Sequence, residues 1–169
     1  MANDDLINKL AAQIKAKEDN AALSQQIQLH KSEFIKASCP QFFVALGRAI
    51  AESAEKLNRA LEGSASAQPA ITCQSGVANI TLGKDDFPYV SAGLTLNPNA
   101  LGVSFVLKWS PRKQSAISGQ HHDGIWKFDV DESNTLLLSG YIAPNHPPLV
   151  PSEPQAVADF LFQTVFTVS

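Results

Sequence analysis

The stretch "VSFVLKWSPRKQSAISGQHHDGIWKFDV", Val103 to Val130, decides how this chain is read. At its start Val103, Phe105, Leu107 and Trp109 alternate with Ser104, Val106 and Lys108. At its end Trp126, Phe128 and Val130 alternate with Ile125, Lys127 and Asp129. A period of two marks a strand with one face on a core and the other toward water. The stretch therefore predicts two antiparallel strands joined by Ser110 to Gly124.

That connection carries the most chemically suggestive residues. His121, His122 and Asp123 stand between Gly119 and Gly124. Adjacent histidines point to opposite faces of a strand but can converge in a loop. A zinc site needs three or four ligands, and only His146, His30 or a cysteine is available to complete this set. A histidine–carboxylate pair serves acid–base catalysis only beside a nucleophile or an orienting third group, and none is assignable. The expectation is a solvent-exposed turn, with no metal, catalytic residue or cofactor assigned. Lys108, Arg112 and Lys113 gather near Trp109, but Trp109 is in phase with the apolar face, so the cluster reads as a solvated loop. "DVDESNT" from Asp129 fails as a calcium loop, which requires glycine sixth and glutamate twelfth. Asn134 and Gly140 stand there instead, and a hairpin turn is expected.

Working upstream, "FPYVSAGLTL" sets Val90, Ala92, Leu94 and Leu96 against Tyr89, Ser91, Gly93 and Thr95. "ITCQ" and "VANITL" form a weaker pair around Ser75-Gly76, and "NPNALG" is a turn. Downstream, "TLLLSG" adds a strand. The sum is an antiparallel meander of five or six strands. "IAPNHPPLVPSEP" is too proline-rich for a central strand. It leads to a helix from Glu153 to about Thr167, with Val157, Phe160, Leu161 and Val165 toward the core.

The N-terminal third is helical in pattern. Residues 4–37 lack proline and glycine and are rich in strong helix formers. Leu6, Leu10 and Ile14 step by four. Leu23, Ile27, His30 and Phe34 step as a packing seam does. The polar "KAKEDN" separates the two groups. Such a helix extends about 50 Å at 1.5 Å per residue, so it either projects as an arm or breaks near Asn20 and folds back as a hairpin. "KASCPQFF" is expected to end it, because Pro40 suits the first turn of a new helix. That second helix, from Pro40 to Glu62, carries Phe43, Leu46, Ile50, Leu57 and Leu61 on one stripe and stops at Gly63. "GSASAQP" follows as a linker. The expected organisation is a helix over 1–37 and an α+β domain over 38–169. The fold class is a two-layer α+β sandwich, its sheet covered on one face by helices.

Composition narrows the functional classes. The chain has 169 residues, 44% hydrophobic and 17% charged, with net charge −3. No basic excess or stripe appears, so nucleic acid is not an expected partner. "MANDDLINKL" has no apolar signal core, no run reaches membrane-span length, and cytoplasmic residence is the expectation. Cys39 and Cys73 read as separate reduced thiols. The leading hypothesis is a non-enzymatic interaction or assembly module. It self-associates through the N-terminal helix by Leu6, Leu10, Ile14, Leu23 and Ile27, most simply as a homodimer, or binds another protein. Tyr89, Val106 and Ile125 on the polar sheet face supply a further partner surface. The alternative is a small-molecule-binding domain, with a pocket between sheet and helices lined by Phe105, Trp109, Trp126 and Phe128. A metal-dependent enzyme using His121, His122 and Asp123 ranks third.

Overall fold

A computed structural model describes residues 2–63, 70–110 and 119–167. The order of elements is α1 (Ala2–Ala60), β1 (Thr72–Ser75), β2 (Asn79–Lys84), β3 (Val90–Asn97), β4 (Gly102–Trp109), β5 (Gln120–Val130), β6 (Leu136–Gly140), β7 (Leu149–Ser152) and α2 (Pro154–Phe166). The chain divides into two compact units, Met1–Phe34 and Ile35–Ser169.

In the first unit, residues 2–34 are helical without interruption. The expected alternative, a hairpin breaking near Asn20, is not formed. Lysine, alanine and glutamate in "KAKEDN" are good helix formers, and neither proline nor glycine interrupts them.

The second unit begins inside the same helix. The break expected at "KASCPQFF" is also absent, and Pro40 lies within α1. Proline removes the amide that would donate to the Lys36 carbonyl. The Cys39 thiol lies 3.8 Å from that carbonyl and donates weakly in its place. Ile35 and Cys39 before the proline, and Phe42 and Phe43 after it, are all buried. Burial contributes about 1.5–3 kcal/mol per large apolar side chain, which outweighs a cost of about 3 kcal/mol for an interior proline. Pro40 itself is exposed. Tertiary packing thus overrides the local signal, and the helix end placed before residue 38 is corrected to Ala60. There Gly63, at φ 82°, takes the left-handed conformation that ends helices.

Among the described residues the sheet has seven strands in chain order, all neighbours antiparallel. The expectation of five or six is corrected by β7, which forms inside the proline-rich stretch. Pro151 is tolerated because β7 is an edge and pairs irregularly with β6, through Leu138↔Ser152 and Gly140↔Leu149. On the inner face Ile80, Leu82, Leu94, Val103, Phe105 and Leu107 are buried. Thr81, Ser91, Thr95, Val106, Lys108 and Lys127 on the other face are exposed. The inner face packs with Phe43, Leu46 and Ile50 of α1 and Val157, Leu161 and Val165 of α2.

Aromatic rings fill the centre of this layer. Phe105 stacks on Trp126 with ring centres 4.7 Å apart. The stack has room because Phe105 faces Gly124 across the β4–β5 pair, where an added Cβ would lie 3.0 Å from the ring. Phe42 meets Phe128 edge-on at 5.1 Å, and Phe160 meets Trp126 edge-on at 6.2 Å. At the end of α1 the Asn58 amide donates to the Ile71 carbonyl and accepts from the Ile71 amide, each at 2.9 Å. It imitates a neighbouring strand and fixes where the chain enters the sheet. Among the described residues, no helix is long and apolar enough to cross a membrane.

Candidate functional site

The histidine pair does not lie in a turn. β5 starts at Gln120, paired with Trp109, so His121, His122 and Asp123 are ladder residues opposite Lys108, Leu107 and Val106. The hairpin is longer than its polar residues suggested. Strand alternation then separates the set. His121 and Asp123 lie on the exposed face, while His122 lies on the helix-covered face.

His122 joins a different group. Its ring lies 5.6 Å from that of Trp109, and the ring of His146 lies 6.5 Å from that of Trp109, edge-on. Phe160 of α2 meets His146 edge-on at 5.9 Å. His122 Nε2 is 3.1 Å from Gln120 Oε1, and His146 Nδ1 is 2.8 Å from the Pro147 carbonyl. Since both oxygens accept, the named ring nitrogen is the donor in each contact. Trp109, Gln120 and His122 border an open cleft of about 680 Å³, with Ala143 to His146 and, at the α2 end, Gln163, Thr164 and Thr167 also lining it. It provides two imidazoles and an indole edge, and among the described residues no acidic side chain lines it. Among the described residues, no group of three or more histidine, cysteine or acidic side chains is placed to hold a metal ion.

The four aromatics expected to line a pocket divide likewise. Phe105, Trp126 and Phe128 belong to the filled core, and only Trp109 of the four borders a described cleft. Within the basic cluster, Lys108 is exposed on β4, while Arg112 and Lys113 lie outside the described residues. In "DVDESNT" Asp129 and Val130 end β5, and Asp131 to Thr135 form the β5–β6 turn. The Asp131 carboxylate accepts from the amides of Ser133 and Thr135, both at 2.9 Å, so backbone occupies it. On the polar sheet face Tyr89 and Val106 are exposed and Ile125 is half-buried. Cys39 and Cys73 are free. Burial pushes both thiols above their ordinary pKa, at Cys39 against a smaller lowering by its backbone hydrogen bond. Neither is therefore set up as a nucleophile. Comparisons with protein-family models, curated proteins and solved structures return no match.

The first unit presents a different kind of site. Leu6, Ile7, Leu10, Ile14, Leu23, Ile27 and Leu29 are between 47% and 63% exposed. Residues 3–31 are all exposed, and Phe34 is half-buried. Ile7 and Leu29 join the five apolar residues expected from spacing. Ile7 was legible as an i,i+3 partner of Leu10; Leu29 fits neither group's period.

Proposed function

We propose that this chain is a non-enzymatic assembly module that self-associates through its N-terminal helix, two copies being the smallest assembly. One observation carries the reading: seven large aliphatic side chains on residues 3–31 are about half exposed or more. Monomeric proteins rarely expose apolar side chains in such groups, and large exposed patches mark protein–protein contacts. A helix without tertiary cover also gains little from propensity alone. Each leucine or isoleucine covered by a second chain contributes about 1.5–3 kcal/mol before association costs. The Glu55–Arg59 ion pair and the scattered surface charges add little to this argument, because exposed pairs contribute about 0–1 kcal/mol.

Light scattering on the full chain tests the reading. The expected mass at tens of micromolar corresponds to a self-association of ordinary strength, and it exceeds one chain. Replacing Leu10, Ile14, Leu23 and Ile27 together by glutamate is expected to return the monomer. A monomeric wild-type chain at that concentration would sink the proposal. Small-molecule binding would then move ahead, favoured by the cleft beside Trp109, His122 and His146.

A further inference from the structure

We infer that the cleft at the Lys84 end of the sheet binds a phosphate group, free or carried by a small molecule. Every residue involved lies in the second unit, so nothing here depends on the self-association proposed above. The sheet register sets up the site. Lys84, Val90, Trp109 and Gln120 stand in one cross-strand row, and Ser91, Lys108 and His121 in the next. Neighbouring rows present their side chains to opposite faces. Both rows border an open cleft of about 510 Å³, a volume within the range of small-ligand sites. The cleft thus draws side chains from both faces of the sheet. It shares only Trp109 and Gln120 with the cleft beside His146.

Lys84 is the deciding residue. It is 3% exposed, and its ammonium donates to the main-chain carbonyls of Asp86 and Phe87 at 3.2 and 3.0 Å. Lysine has three donors. Among the described residues the third has no partner, and no carboxylate pairs with the ammonium. The Asp86 carboxylate accepts from the Phe87 amide at 2.8 Å instead. Clipping a turn needs only a neutral donor, whereas a buried charge is costly unless it is paired. The missing charge is therefore an anion from outside the chain. Lys108 and His121 are exposed on the walls of the cleft, and Ser110 and Tyr89 add hydroxyl donors. Asp85 is the one acid on those walls among the described residues, and it is exposed. Two ammonium groups against one carboxylate leave an excess of positive charge. A phosphate dianion bears more charge than a carboxylate and gains more from two lysines, which serve phosphate as point charges. With a net charge of −3 and no basic stripe in the sequence, a small phosphate fits better than a nucleic-acid backbone. From sequence Lys108 belongs to a solvated loop. Lys84 lies 24 positions upstream, so only the fold shows that the two lysines border one cleft.

Calorimetric titration of the full chain tests this with inorganic phosphate, phenyl phosphate and benzoate. Phosphate is expected to bind saturably, one ion per chain. Benzoate is expected to bind roughly tenfold or more weakly than phenyl phosphate, as the loss of a charge-assisted contact implies. Phenyl phosphate binding more tightly than inorganic phosphate marks an organic phosphate as the occupant, and equal or weaker binding marks the free ion. Lys108→Ala should weaken phosphate binding by about tenfold, Lys84→Met should abolish it, and Asp85→Asn should tighten it. Lys108 and Asp85 are exposed, so their variants should keep the wild-type unfolding transition and decide the matter even if Lys84→Met does not fold. No saturable heat from either phosphate up to about 10 mM, above the millimolar range of a weak site, overturns the assignment. Phosphate binding that Lys108→Ala and Asp85→Asn both leave unchanged also overturns it, by placing the ion elsewhere. Benzoate binding as tightly as phenyl phosphate overturns the choice of phosphate. All of these results leave self-association standing.

Discussion

Residues 6–30 and 35–54 lie in the same helix, α1, and both carry apolar residues at helical spacing. In the later segment Ile35, Cys39, Phe42, Leu46, Ile50 and Ala54 form a continuous buried run. In the earlier one the large apolar residues are all exposed and, Leu29 apart, form two short groups on different sides. Helical periodicity is common to both and so does not tell a core face from an uncovered one. Continuity does. A run unbroken over five turns matches an extended surface such as a sheet, whereas two short groups out of phase match two local contacts.

The sharpest way to break that contrast is to delete side chains on each side of it. Phe105→Ala or Phe128→Ala removes a ring from the filled layer and should cost about 3–5 kcal/mol. Leu10→Ala, examined at a dilution where the chain is monomeric, should change stability by less than about 0.5 kcal/mol. Trp109 and Trp126, both buried in the second unit, report the transition in denaturant. A loss at Leu10 as large as that at Phe105 would place the first group in a core of the chain itself.

Pro40 sharpens the comparison where the two segments meet. It lies inside α1 with an exposed ring, so replacing it gives up no burial. Pro40→Ala restores a donor to the Lys36 carbonyl and should stabilise the chain by about 1–3 kcal/mol. A destabilised variant would mean that the proline shapes a real helix boundary at residue 38, as its local sequence suggests.

The meander, the final helix and the inner-face residues were legible because alternation and helical spacing follow directly from which side chains are covered. What the sequence did not show has definite physical causes. The helix crosses Pro40 because four buried side chains around it outweigh one lost hydrogen bond, a balance set by distant strands. β7 was hidden because an edge strand admits the prolines that exclude a central one. The histidine pair looked like a turn because its polarity masks a strand whose partner, β4, imposes alternation. His122 and His146 meet at Trp109 only through the folding of β5 against the segment before β7, and their separation of 24 positions leaves no local pattern. At the N-terminal helix, composition gave the apolar groups, but only a count of turns between Ile14 and Leu23 shows that they face different ways.

The smallest effect expected concerns the thiols, and it probes the same junction. Cys39 is buried one residue before Pro40, and burial raises its pKa, as it does that of half-buried Cys73. The folded chain therefore holds thiol protons that the unfolded chain releases. Where the unfolded state binds fewer protons, stability falls as pH rises. The contribution is thus constant through neutral pH and is lost as pH climbs from the ordinary thiol range toward the raised folded values. Cys39→Ala with Cys73→Ala should flatten that alkaline slope in urea unfolding midpoints while leaving the neutral-to-acid side unchanged in shape. Native-state labelling with a thiol reagent at neutral pH separates the two sites. Cys73 should react slowly and Cys39 only as fast as α1 opens around Pro40. Fast labelling of Cys39 would show that the segment following residue 34 is not held against the sheet, and the buried half of the comparison would lose its first turn.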